Sequence, residues 1–333
     1  MTTTGAPAAR ATFGGQGVNG PLNAADIAAI NAGTYRFNLG RNLLDAGIRD
    51  EDFTRDTLRF VAGIRGTFNE DWNYDVSFNY GRFNEEVRQS GFVDRQRFML
   101  SLDAGRNPVT GQIQCRSQFD AASRVAFTQG LSATTAAANL AKLDADIAAC
   151  APYNPFGQGD NSAARNYFER RSLNESQITQ SILSGFVSGD LSQWFELQGG
   201  PIGFAFGGEW RAETAYQQQD AYLQTGATNA VVFPTYDPPT FEVREVFAEL
   251  RIPLLADLPF AHELTISGAG RRSQYSEAIG EVDTYNYGVV YAPVQDLRLR
   301  ANFGRAVRAP NLSETSASLV PNFANGFIDP SAP

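Results

Sequence analysis

Two carboxylates, Glu209 and Glu213, stand four residues apart in the segment 203–217, GFAFGGEWRAETAYQ, with Arg211 between them. Paired carboxylates are the equipment of general acid–base chemistry and of glycoside hydrolysis. In a strand, successive side chains alternate, so all three charges fall on one face. No neighbouring motif supplies a partner for catalysis, and no GxSxG nucleophile segment occurs. His262 is the only histidine, which argues against a histidine-based triad or a multi-histidine metal centre. It follows a proline-containing turn and reads as an interfacial side chain. Cys115 and Cys150 share one long polar segment without a CxxC pair, so no metal-ligand set is expected. They are either one loop-closing disulfide or two free thiols. A disulfide here would stabilise the loop by about 3 kcal/mol or more. The chain therefore offers no catalytic constellation, no cofactor motif and no metal site.

The charged residues need elements that could position them. The other face of 203–217 carries Phe204, Phe206, Trp210 and Tyr216. Similar alternation recurs in eight further segments: 34–41, 57–68, 73–88, 176–190, 241–252, 262–276, 282–291 and 297–305. In 57–68, Leu58, Phe60, Ala62, Ile64 and Phe68 oppose Arg59, Arg65 and Thr67. In 241–252, Val246, Ala248, Leu250 and Ile252 oppose Glu245, Glu249 and Arg251. Finally, Leu297, Leu299, Ala301 and Phe303 oppose Arg298, Arg300 and Asn302. Period-two patterning of this kind predicts about nine antiparallel strands.

Connections alternate in length. Those at 69–72, 191–202, 253–261 and 292–296 are short or moderate; those at 43–56, 89–175 and 218–240 are longer. The tight connection at 277–281 breaks the alternation. The longest holds both cysteines, an Ala-rich tract at 134–149 of helical composition, and a Pro/Gly segment at 152–159. A loop of that length marks function or flexibility.

Composition narrows the class. Aromatics make up 12% of 333 residues, a balance that suits pleated surfaces. The formal charge of −9, without a basic stripe, argues against nucleic acid as a partner. Basic residues are nearly all arginine, Lys142 being the only lysine. Mean hydropathy is −0.28, and no run of about 18 apolar residues could form a transmembrane helix. A membrane barrel is compatible with these values, because its apolar residues alternate with polar ones. Loop asymmetry and aromatics near strand ends (Trp72, Tyr74, Trp210, Tyr216, Tyr285, Tyr291) favour that barrel. The alternative is a soluble, secreted β-rich carbohydrate-binding module, which predicts strands nearer six residues and a water-exposed charged face.

The run Phe303-Gly304-Arg305-Ala306-Val307-Arg308-Ala309-Pro310-Asn311-Leu312-Ser313-Glu314 resembles a segment common in the barrels of TonB-dependent outer-membrane receptors, where a strand ends and a loop begins. The segments 207–213 and 245–254, and the pair 42–45 and 55–63, look like barrel segments of the same family. The resemblance spans roughly 34–314. It implies an antiparallel transmembrane β-barrel of about 22 strands in the bacterial outer membrane. It also implies a plug domain, energy from the TonB complex, and a scarce nutrient as ligand (siderophore, vitamin or oligosaccharide), with no bond chemistry by the receptor. This chain departs from that pattern in strand number, in the absence of a plug or TonB box, and in the absence of a closing strand and secretory signal. It therefore reads as a barrel portion: an irregular segment at 1–33, part of a barrel at 34–314, and an interrupted loop at 315–333. Under this reading Glu209, Arg211, Glu213, Glu249, Arg251, Arg298 and Arg300 face the lumen. There they either contact the plug and line a path, or simply solvate the lumen and pair across strands. Arg305 and Arg308 stand at the outer rim, either for an anionic ligand or as structural parts of the motif that continues through Ala309, Pro310, Asn311, Leu312 and Glu314.

Overall fold

A computed structural model describes residues 47–156, 159–276 and 279–316, together with positions 2–4, 24, 28, 32, 36–38 and 45. Eight strands follow one another as β1 (Glu51–Phe68), β2 (Trp72–Val93), β3 (Glu169–Asp190), β4 (Gly203–Gln218), β5 (Phe241–Leu258), β6 (Ala261–Tyr275), β7 (Glu281–Val294) and β8 (Leu297–Arg305). They form one sheet in sequence order, each hydrogen-bonded antiparallel to the next. β1 and β8 are its edges, so the sheet is not closed into a barrel by the described residues. Strands of up to 22 residues far exceed the roughly five or six of a soluble sandwich, which removes the basis for the carbohydrate-binding sandwich.

The observed strands are longer than the patterning suggested. β1 begins at Glu51 instead of 57, β2 runs on to Val93, and β3 starts at Glu169 instead of 176. Their polar ends lack a clear apolar face, yet the backbone pairing continues through them. β5 passes through Pro253, taken as the start of a turn, and ends at Leu258. Pro253 faces Thr265 where the register shifts, a bulge position that tolerates a residue without an N–H donor. The segment expected at 34–41 is described only at Arg36–Asn38, where it pairs with Thr2–Thr4 and not with the large sheet; the expected segments 1–33 and 315–333 lie mostly outside the described residues.

At one end the connections are short or moderate: 69–71, 191–202, 259–260 and 295–296. The other end carries 94–168 and 219–240, with 276–280 as its short exception. The longest connection is a folded lobe. It contains α1 (Arg95–Leu102), a ribbon pairing Ala104–Arg106 with Ile113–Cys115, α2 (Ala133–Ala148) and α3 (Ser162–Phe168). Ser132 caps α2 by accepting the Thr135 N–H at 3.2 Å. Thr135, Asn139, Leu143, Asp146 and Ile147 turn inward at helical spacing. The main apolar core among the described residues sits here, built from Leu100, Ile147, Tyr153, Tyr167 and Phe168.

Gly91 shows why the lobe leaves the sheet where it does. Its φ is +76°, and a Cβ there would lie 2.6 Å from the Ile48 carbonyl oxygen. Only glycine permits that approach. It lets the chain before β1 run beside β2, where Ser90 donates to the Asp50 carbonyl at 3.0 Å.

Candidate functional site

Direct cross-strand partners share a face, so the registers sort every strand residue onto one of two surfaces. One surface is polar. On it Arg211 lies between Glu209 and Glu213, 3.4 Å from each. Glu213 also accepts from Gln180 at 2.8 Å. Glu209 stands directly opposite Glu245 on β5. Glu245 accepts from Ser273 at 2.6 Å and from Arg271 at 3.2 Å, while Arg271 also covers the Phe247 ring at 5.3 Å. Arg298 reaches Glu263 at 2.6 Å. Glu249, Arg251 and Arg300 share this surface but form no ion pair among the described residues. All seven charged residues singled out in the sequence thus lie on one face, spread over β4, β5 and β8. Arg211 pairs along its own strand and Arg298 across strands; the seven do not converge on one point, so they form no catalytic dyad.

The opposite surface is apolar and outward. Ile64, Phe206, Val246 and Phe303 are 66%, 61%, 54% and 57% exposed on it. At the tight-turn end Trp72 packs edge-on against Phe68, Phe204 and Trp194, with ring centroids 4.8–5.6 Å apart. Trp72 also donates to the Asp190 carbonyl at 2.8 Å. Apolar bodies with a polar handle suit a membrane interface.

This apolar surface is a slanted band. Along the hydrogen-bonded register, Arg305 leads through Tyr285, Gly270, Ala248, Phe206, Val187 and Tyr74 to Gly66. Arg305 is the first outward charge above the band on β8. Its counterpart on β1 is Asp56, ten residues from Gly66. Ten residues at about 3.4 Å match seven strand spacings of about 4.8 Å, which gives a tilt of about 45°. On β1 the band runs from Leu58 to Phe68, about 34 Å along the strand and about 24 Å after tilting. A transmembrane barrel wall requires about 25 Å.

The lobe carries a second polar centre that the sequence did not flag. Asp94, the N-cap of α1, is fully buried. Its carboxylate accepts from the Tyr222 hydroxyl at 2.6 Å, from Lys142 Nζ at 3.1 Å and from the Arg97 N–H at 3.2 Å. Lys142 also donates to the Tyr222 oxygen at 2.6 Å. Burial by itself would raise the Asp94 carboxyl, but Tyr222, Lys142 and the Arg97 N–H together hold it below the usual carboxylate value. Burial likewise opposes the Lys142 charge, yet Tyr222 and Asp94 leave it raised. A second buried carboxylate, Asp146, takes Arg97 and Gln96 at 2.8 Å each. Tyr222 belongs to α4 (Ala221–Gln224) in the next long connection, so this centre locks the two loops together. Cys115 and Cys150 are bonded, closing the lobe with their Cα atoms 6.2 Å apart. The only lysine of the chain was the available clue, since a single amine in an arginine-rich protein has a specific environment to fill.

The family model for the TonB-dependent receptor-like β-barrel matches residues 4–331. The chain belongs to that family. No curated protein and no solved structure matches it. In barrels of this kind an apolar band faces the membrane and the polar face lines the lumen. His262 lies at the tight-turn end, 3.2 Å from Asp257, away from the large loops.

The receptor motif at the end of β8 has a structural explanation. Arg308 forks Glu314 with both guanidinium nitrogens at 3.0 Å. Glu314 in turn accepts the Asn311 N–H at 2.9 Å, and the Asn311 side chain accepts the Glu314 N–H at 2.9 Å. This reciprocal capping box starts α5 (Leu312–Thr315). Pro310 precedes the cap and keeps the helix from extending backwards. The mutual pairing draws Arg308 below the level of free availability to a ligand and pushes its guanidinium pKa up, by the Glu314 hydrogen bond first and its charge second. Arg305 is exposed above the membrane band.

Proposed function

We propose that this receptor binds a scarce nutrient at its long-loop end and admits it to the lumen when the TonB complex acts on a plug domain. The observation that carries the reading is the slanted apolar band, with the charged residues on the face behind it and a folded, disulfide-closed lobe at one end only. Short turns on the periplasmic side and long loops outside are the asymmetry of outer-membrane barrels. A siderophore, a vitamin or an oligosaccharide fits the reading as ligand. The charges of Glu209, Arg211, Glu213, Glu249, Arg251, Arg298 and Arg300 keep the lumen wall wet and offer contacts to a plug. The arginine–glutamate motif at 308–314 serves to shape the outer rim.

Orientation is testable in Gram-negative cells displaying the full-length protein. Single cysteines replace Ala137 in the lobe or Gln295 in a tight turn, and intact cells are treated with a membrane-impermeant maleimide. Labelling at 137 and protection at 295 until the outer membrane is opened is the expected result; the reverse pattern sinks the proposal. Nutrient-limited growth in strains with and without functional TonB then tests energisation.

A further inference from the structure

A groove of 390 Å³ opens on the lumen face at the long-loop end. Its floor is three cross-strand rows: Glu51–Gln89–Ser172, Phe53–Val87–Asn174, and Arg55–Glu85–Ser176–Gln217. Its wall is Val231 and Phe233 from the connection after β4. That wall is pinned from within. Gln219, only 3% exposed, donates to the Val231 carbonyl at 2.8 Å and accepts the Phe233 N–H at 3.2 Å. Asn229 completes the attachment by exchanging two hydrogen bonds with the Val93 backbone, at 2.9 and 3.1 Å. The volume lies in the range of small-molecule sites, and a wall held before binding lowers the ordering cost of binding.

We infer that this groove is a binding site for a neutral, polyhydroxylated ligand, the chemistry of an oligosaccharide. The inference rests on the receptor reading above and names the ligand class for it. Phe53 is half exposed, with Arg55 over one side of its ring at 4.7 Å. Phe53 and Phe233 supply apolar surfaces for the C–H face of a sugar ring. Between them Gln89, Asn174 and Gln217 present planar amides that both donate and accept, and Glu51 a carboxylate that accepts, which suits adjacent hydroxyls. Gln89 already donates to Glu51 and accepts from Asn174, which fixes the orientation of that row. The charges disfavour an anion. Against Arg49 and Arg55 stand Glu51 and Glu85, and Arg55 is already bound to Glu85. Arg49 is drawn over the Phe92 ring at 5.0 Å. An anionic metal chelate would therefore meet a site with no surplus of positive charge to hold it.

The test uses the full-length receptor in detergent micelles and isothermal titration calorimetry. The probes are a panel of neutral hexasaccharides of glucose, xylose and mannose, the hexamer of galacturonate, ferric enterobactin and cyanocobalamin. The expected result is binding of a neutral hexasaccharide, weakened about tenfold or more by Gln217→Ala and by Phe233→Ala. Heat-modifiable migration in detergent gels shows that each variant still forms a barrel. Binding of ferric enterobactin or cyanocobalamin alone overturns this inference and leaves the receptor reading intact. Failure of every neutral sugar to bind, or sugar binding indifferent to both substitutions, also overturns it. Failure of the receptor reading itself appears separately, in the maleimide labelling of intact cells.

Discussion

Asp94 is a single buried carboxylate on which two surface loops depend, and its chemistry sets the acid tolerance of the lobe. Its folded pKa is depressed, so the stabilisation it provides is present above the ordinary value of 3.8 and is lost as pH falls through the lower folded value. Lys142 has the opposite sign: its pKa is raised, so its contribution is lost only in strong alkali. Amide exchange of α2 and α4 should therefore stay slow from neutral pH down to about pH 4 and accelerate together below it. Asp94→Asn should abolish that joint acid response. Lys142→Met removes one partner of a buried pair and should cost the lobe about 3 kcal/mol; equal exchange rates in variant and parent refute the hub. The exposed clasp at the barrel rim behaves differently. Glu314→Gln should speed exchange of the α5 amides while leaving the β8 amides unchanged, and a change in both would mean that the motif supports the wall.

The elements show what patterning reveals and what it hides. The strands were legible wherever Phe, Leu, Ile or Tyr alternate with charge, as in β4, where Phe204, Phe206 and Trp210 oppose Glu209, Arg211 and Glu213. The upper parts of β1 to β3 were not, because above the membrane both faces meet water and no solvent contrast writes a pattern. Ser172 and Asn174 therefore read as loop, although their backbones are paired. That the seven charged candidates share one face was legible for the same reason as the strands. The groove floor was invisible because its rows join residues more than a hundred positions apart, such as Phe53 and Asn174. The lobe is held by elements as well as by Asp94. Closing a span of 35 residues, the Cys115–Cys150 bond should contribute about 4 kcal/mol. Its reduction should render the lobe protease-sensitive at 116–149 while the barrel strands stay resistant; cleavage within β2 or β3 would refute that division.

At the scale of the whole molecule the slanted band governs insertion. Phe206 and Val246 lie on adjacent strands near the middle of the band. Phe206→Arg should cost about 2–4 kcal/mol of folding stability in bilayers, measured by urea titration of tryptophan fluorescence, whereas Ala205→Arg on the lumen face should cost much less. Equal effects would mean that the two faces have been exchanged. The sheet edges at β1 and β8 are unpaired among the described residues, so further strands are needed for closure. The lobe is fastened at two places, to the wall strands and, through Asp94 and Tyr222, to the 219–240 connection. It leaves β2 at Val93 and re-enters β3 at Glu169, and these two residues are hydrogen-bonded neighbours. The lobe's covalent attachment is therefore one pair of adjacent backbone positions, like a cassette with both ends on the same socket, and α4 is the clasp that must match it. Recombination at that pair, together with a matching 219–240 connection, could exchange the surface lobe of one barrel for that of another without moving a single strand. The receptor's outer identity can change while its wall is inherited intact.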